Sequence, residues 1–291
     1  MRILLATCEE YPDLGVSARV YREALCRAGA TVEAVVWTRG VEPFIGADLV
    51  VIRATWDYHR NLDGYRAWLR GLEAAAVPVA NPVPLILWNL DKSYLDELAL
   101  HGIATPAQLV VPCEPTAARE AMQQRGWTRA VAKPLAGASG HGVELLALDS
   151  FERSWPAVAR AVTPHRLLLQ EFIAEIRSEG QVSYVFIDRE LTHAVRSLPT
   201  AGEFRINSTF TPQVEVIYPR PADIDEARRV LEVLPMTSLY ARIDMVRRGD
   251  RQTVLEAEVN EPGLFFQHAP RSADIFARAT LAWAARMRAQ R

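Results

Sequence analysis

Cysteine is scarce: Cys8, Cys26 and Cys113 are the only three in 291 residues. Their odd number and irregular spacing argue against a disulfide framework or a cysteine metal site and point to reduced thiols. A surplus of one charge sign is missing as well, with 33 basic residues against 35 acidic ones and a formal net charge of −2. Such a chain has no broad positive field to gather nucleic acid or anionic lipid, so neither is expected as a partner. No apolar run approaches the roughly 18 residues that cross a bilayer. The first apolar stretch, Ile3 to Ala6, is too short for a secretory core and turns acidic at Glu9 and Glu10. These absences lead to the expectation of a soluble, cytoplasmic protein. The six histidines share no ligand spacing, which disfavours zinc; His193 and His268 stay open as general bases, without support from their spacing.

What is present is an ordinary globular composition, 49% hydrophobic and long enough for about two compact units. Apolar strands at Ile3–Cys8, Thr31–Trp37 and Asp48–Ala54, with a helix near Ser17–Arg27 between the first two, predict a parallel βαβ sheet. A helix from about Asn61 to Ala76 presents Tyr65, Trp68, Leu69 and Leu72 on one face. The three prolines between Val77 and Pro84 mark a boundary. Beyond it the pattern predicts helices near Asp91–His101, Thr116–Arg125, Phe151–Ala161, Ile224–Leu234 and Ala273–Arg288. Strands are expected at Gln108–Val111, Ala130–Lys133, Val143–Leu148, Leu167–Gln170, Val182–Ile187, Leu191–Ser197, Leu239–Val246 and Thr253–Asn260. The glycine-rich segment Gly137–Gly142 therefore joins two strands, and hairpins turn at Asp188–Glu190 and at Gly249-Asp250.

That segment fits neither the Rossmann nor the P-loop spacing, because Val143 follows Gly142 where a lysine is required. It also misses the nucleophile elbow, since His141 replaces the last glycine of that motif. It reads either as a backbone nest for an anion beside Lys133, phosphate being the natural guest, or as a surface turn. On the last two strands, alternation puts Glu256, Glu258 and Asn260 on one face, and antiparallel pairing brings Asp244 beside them. Converging hard oxygens suit Mg²⁺, which takes carboxylates together with substrate phosphates, better than they suit a solvated polar face. Arg196, Glu203, Arg205 and Asn207 surround a turn and either face a transferred phosphate or form a polar loop. Arg53-Ala54-Thr55-Trp56-Asp57-Tyr58 ends a strand where open α/β sheets bind ligands; it reads a substrate or is a loop fastened by aromatics.

From about Asn89 to Gly263, the order of these elements resembles the ATP-grasp superfamily, in particular its glutathione synthetase and ribosomal-protein glutamate ligase branch. The matching residues are Lys92 in Leu90-Asp91-Lys92-Ser93, Lys133 in Val131-Ala132-Lys133-Pro134, and Gln170-Glu171-Phe172-Ile173. Glu203-Phe204-Arg205-Ile206-Asn207 and the run from Asp244 through Glu258, Asn260, Pro262 and Gly263 complete the match. The resemblance implies an α/β ATP-grasp fold: an N-terminal parallel βαβ domain (1–84), a central subdomain carrying the flexible glycine-rich loop (85–170), and a C-terminal subdomain (171–291). The last two would clasp ATP. It further implies that Lys92, Lys133, Gly137, Ser139, Gly140, Gly142, Gln170, Glu171, Phe172 and Ile173 bind ATP, that Asp244, Glu258 and Asn260 bind Mg²⁺ or Mn²⁺, and that Arg205 and Arg242 are catalytic. Arg53, Asp57, Tyr58, Asn207 and Gly263 would meet a small amino-acid-like substrate, with Trp56 walling the pocket. Where relatives carry an acid before the strand that opens the C-terminal subdomain, this chain has Gly180-Gln181-Val182-Ser183, and Glu256 is an extra acid without an implied role. Segment 54–58, the proline-rich link and Asn89–Lys92 look most like the cyclo-ligase branch that closes O-ureido-D-serine to D-cycloserine in antibiotic biosynthesis. An intermolecular amino-acid or peptide ligase, a non-catalytic ATP-binding module and a homodimeric assembly remain alternatives.

Overall fold

The computed structural model describes residues 1–161 and 166–289. The N-terminal sheet is built from β1 (Arg2–Thr7), α1 (Val16–Arg27), β2 (Thr31–Val36), β3 (Leu49–Ala54), α2 (Leu62–Ala74) and β4 (Val79–Ala80). Its strands run in the order β2-β1-β3-β4 and pair in parallel, as the alternation of strand and helix requires. The Asn61 side chain starts α2 by accepting the Gly64 N–H at 3.1 Å. Tyr65, Trp68, Leu69 and Leu72 of α2 are buried together with Leu4 and Ala6 of β1, the packing that their helical spacing predicts.

The proline-rich stretch holds more structure than a boundary. It forms β4 and then α3 (Val83–Asn89), with Pro84 in the first helical turn, where a missing N–H leaves no bond unmade. The helix expected from Asp91 begins later, as α4 (Tyr94–Leu100), because the Asp91 carboxylate accepts the Ser93 N–H and turns the chain first. Leu85 of α3 and Leu95 and Leu98 of α4 pack on the C-terminal sheet, not within the central unit in which the sequence placed them.

The central sheet comprises β5 (Gln108–Pro112), α5 (Pro115–Gln124), β6 (Arg129–Lys133), β7 (Glu144–Ala147), α6 (Phe151–Ala161) and β8 (Arg166–Glu171). The strand order is β5-β8-β6-β7, all antiparallel, and the glycine-rich segment does join β6 to β7. The C-terminal sheet follows with β9 (Gln181–Ile187), β10 (Glu190–Leu198), β11 (Gln213–Ile217), α7 (Pro221–Val233), β12 (Tyr240–Arg248) and β13 (Arg251–Glu258). Its antiparallel order is β11-β10-β9-β12-β13, and the edge strand β11 was not foreseen. Both predicted hairpin turns are present, with Asp188, Arg189 and Gly249 at positive φ. The closing helix α8 (Pro270–Ala289) returns to the N-terminal unit, and one core joins Phe276 of α8, Tyr21 of α1, Ile3 of β1 and Ile187 of β9. No helix among the described residues is long and apolar enough to cross a membrane.

Candidate active site

A cleft of about 1020 Å³ lies where the three sheets meet. It is lined by every residue that the family resemblance assigned to a nucleotide, metal, catalytic or substrate role except Asp57. Strand pairing explains the densest part. On β12 and β13, Arg242 stands opposite Glu258 and Asp244 opposite Glu256, so one acid and a guanidinium on β12 meet two acids of β13 across the ladder. Carboxylate oxygens of Asp244, Glu256 and Glu258 all lie within 4.8 Å of one another.

Each acid is already engaged. Arg242 grips Asp244 with Nε at 2.9 Å and Nη2 at 2.8 Å, donates to Glu258, and holds the Gly263 carbonyl at 3.0 Å. Ser183 of β9 donates to Asp244 at 2.6 Å. Lys92 pairs with Glu256, the acid without an implied role. The electrostatics remain unbalanced. Burial pushes Glu258 up to about 8, with Glu256 and Asp244 adding to the rise against the pull of Arg242. Burial raises Glu261 to about 7, and Glu256 stays low, near 2, because Lys92 and Lys133 outweigh its own desolvation. Glu258 and Glu261 are costly to charge in this setting, and a divalent ion would favour their ionised forms. Hard oxygens in this number therefore fit Mg²⁺. Asn260 adds a buried amide whose Nδ2 has no partner and whose oxygen accepts from Tyr65.

Across the cleft, Lys133 ends β6 and donates to Gln170 Oε1 at 3.0 Å. Burial and then the Lys92 charge lower its pKa to about 8. Gln170 passes the tie on to Gln108 at 3.2 Å, and Ile173 is buried against Ile176 and Val246 at the hinge between the central and C-terminal sheets. Glu171 faces Arg248, while Phe172 meets Phe204 edge to face. The glycine-rich loop covers this end. Ser139, Gly140 and Gly142 have positive φ, and a Cβ on Gly140 would come within 2.5 Å of Asn207 Oδ1. Arg205 is held by Glu203 through Nε at 3.0 Å and Nη2 at 2.8 Å, reaches the Val143 carbonyl at 3.1 Å, and lies over Phe210.

On the N-terminal side the substrate candidates divide. Tyr58 donates to the Gly137 carbonyl at 3.1 Å and so ties the loop to this wall. His59, on the same wall, lies 4.8 Å from His141 of the loop, ring centre to ring centre. Arg53 lines the cleft but is only 1% exposed; its Nη1 and Nη2 donate to the carbonyls of Ile52 and Pro262, and its Nε has no partner. Asp57 turns away to accept the Trp37 indole N–H at 2.7 Å, so it caps packing and does not face the cleft. Arg196 pairs with Glu215 on the sheet edge, outside the cleft. His193 bonds the Leu264 carbonyl, and burial pushes it down to about 4; it too lies outside, whereas His268 lines the cleft. Sequence reasoning missed Ser183, Tyr65 and Glu261, whose roles come from contacts made across the fold.

Comparison with known proteins adds to this geometry. Residues 3–81 match the family model described as D-cycloserine synthetase DcsG, N-terminal domain. The chain is 27% identical over 272 residues to the cycloserine biosynthesis protein DcsG of Streptomyces lavendulae, covering 88% of this chain and 90% of that one. The crystal structure of D-cycloserine synthetase DcsG superposes with a TM-score of 0.85 at 24% identity, over 99% of this chain and 100% of the other. ATP-grasp ligase PsnB, in complex with a precursor variant, Mg and ADP, superposes with a TM-score of 0.66 at 17% identity, over 97% and 98% of the two chains.

Proposed function

We propose that this chain, which has the ATP-grasp fold, is an ATP- and Mg²⁺-dependent carbon–nitrogen ligase that closes a small amino-acid-like substrate on itself, O-ureido-D-serine to D-cycloserine. The observation that carries the reading is the meeting of an acidic cluster, Asp244, Glu256 and Glu258, with Lys92 and Lys133 in a cleft roofed by a glycine-rich loop. A non-catalytic nucleotide module would have no use for a full set of acids and cations held against their own desolvation.

In this reading adenine lies along Gln170–Ile173, and Lys92 and Lys133 hold the phosphates under Gly137–Gly142. Asp244, Glu258 and Asn260 would hold Mg²⁺, with Glu256 beside them, and the ion when bound would neutralise phosphate charge. The substrate carboxylate attacks the terminal phosphorus, ADP leaves, and an acyl phosphate results. The oxygen-bound ureido nitrogen of the same molecule then attacks the acyl carbon, gives up its proton and displaces inorganic phosphate, which closes the ring; water cleaves the carbamoyl group from that nitrogen, and it leaves as carbamate, which falls to CO2 and ammonia. Arg205 and Arg242 sit where they can stabilise charge on the transferred group. The N-terminal domain, 1–84, supplies the substrate wall through Arg53, Trp56 and Tyr58, and closure of the loop onto Tyr58 keeps water from the acyl phosphate. An internal nucleophile gains an effective molarity of about 10⁵ M or more when oriented, so no second substrate need be ordered.

The test supplies O-ureido-D-serine, ATP and Mg²⁺ and follows D-cycloserine, ADP and phosphate by mass spectrometry. ADP that appears only after a separate amine or peptide is added replaces the cyclo-ligase with an intermolecular ligase.

A further inference from the structure

The turn after β13 is held by the N-terminal domain. Arg53 donates to the Pro262 carbonyl at 2.6 Å and the Trp56 indole to the Glu261 carbonyl at 3.0 Å. The third tie reaches a side chain. The Tyr65 hydroxyl, on α2, donates to Asn260 Oδ1 at 2.8 Å and lies 3.0 Å from Thr55 Oγ1. Tyr65 and Thr55 are fully buried and Asn260 is 3% exposed. The Asn260 backbone is fixed separately, by the Tyr240 hydroxyl on its carbonyl at 2.8 Å. Its Nδ2 has no partner. The bond from Tyr65 alone therefore sets the direction of the amide, whose χ2 is otherwise broad. An amide oxygen carries two lone pairs, so Oδ1 can accept from Tyr65 and still face a cation.

We propose that Tyr65, supported by Thr55, is a positioning residue for the divalent ion, acting by orienting Asn260 Oδ1 in the cleft. The inference rests on the metal site proposed above. Partners that orient metal ligands typically contribute 10–100-fold to affinity. The substrate-side domain thereby completes the metal site, although none of its own side chains need touch the ion.

The experiment titrates Mn²⁺ into the full chain and reads the free-ion signal by electron paramagnetic resonance, which needs no turnover. Tyr65→Phe should bind Mn²⁺ roughly tenfold more weakly, and Asn260→Ala at least as weakly. The double variant should lose no more than Asn260→Ala alone, because Tyr65 acts through that amide. Should Tyr65→Phe fail to fold, Thr55→Val keeps the ring in place and should weaken Mn²⁺ in the same direction by about threefold, through the polarised hydroxyl chain. Undiminished Mn²⁺ affinity in Tyr65→Phe, or in Thr55→Val where it replaces that variant, alongside lost affinity in Glu258→Gln, overturns the positioning role and leaves the metal site standing. Fully additive losses in the double variant overturn it equally. Undiminished affinity in Glu258→Gln removes the metal site and this proposal together.

Discussion

Replacing Lys133 with Met should make the protein more stable and less able to bind ATP. Lys133 is 7% exposed, and among the described residues it forms no ion pair; its side chain's hydrogen bond goes to the neutral Gln170 amide. Burial and the Lys92 charge hold its pKa near 8 against the ordinary 10.5. That gap corresponds to about 3 kcal/mol by which the fold disfavours the charged form at neutral pH. Methionine keeps the stem and removes the charge but also forfeits the hydrogen bond to Gln170, a loss of about 1.5 kcal/mol. The net gain is about 1–2 kcal/mol, or roughly 2–8 °C in Tm. The folded pKa lies below the unfolded one, so between pH 8 and 10.5 the unfolded chain binds more protons and wild-type stability rises with pH. The advantage of the Met variant should shrink across that window. Losing a charge-assisted bond to phosphate should weaken ATP about 10–100-fold in calorimetry. A Met variant that is less stable at pH 7, or one with undiminished ATP affinity, refutes the assignment of Lys133 as a phosphate clamp held charged against its surroundings.

Glu258→Gln should abolish ADP release and leave the circular dichroism spectrum unchanged, since the amide keeps the shape and removes a metal oxygen charge; turnover at ordinary Mg²⁺ would contradict this. Gly140→Ala combines a positive φ with a 2.5 Å approach to Asn207, so the loop must shift; KM for ATP should rise severalfold with little change in Tm. Asp57→Asn should leave substrate KM unchanged while lowering stability by about 1 kcal/mol, because its carboxylate holds the Trp37 indole. A raised substrate KM in that variant would return Asp57 to the pocket.

Local pattern determined most of the framework. Alternating apolar strands with helices pointed to the parallel sheet of β1, β2 and β3, and period-two alternation on β13 put Glu256 and Glu258 on one face, with antiparallel pairing to bring Asp244 of β12 beside them. Most of the nominated residues converge on one cleft because β6, β8, β12 and β13 each carry one of the motifs to it. Direction across the fold was another matter. Asp57 and Tyr58 are neighbours in sequence, yet one packs on Trp37 and the other ties the loop at Gly137. Arg53 read as a substrate partner, and two of its nitrogens also hold the carbonyls of Ile52 and of Pro262, the latter 209 residues away in sequence. Glu256 found its role only when Lys92 arrived from another element. Side-chain periodicity is local and legible, whereas the partner of a buried charge or amide is chosen by whichever distant group the tertiary packing brings within hydrogen-bond range.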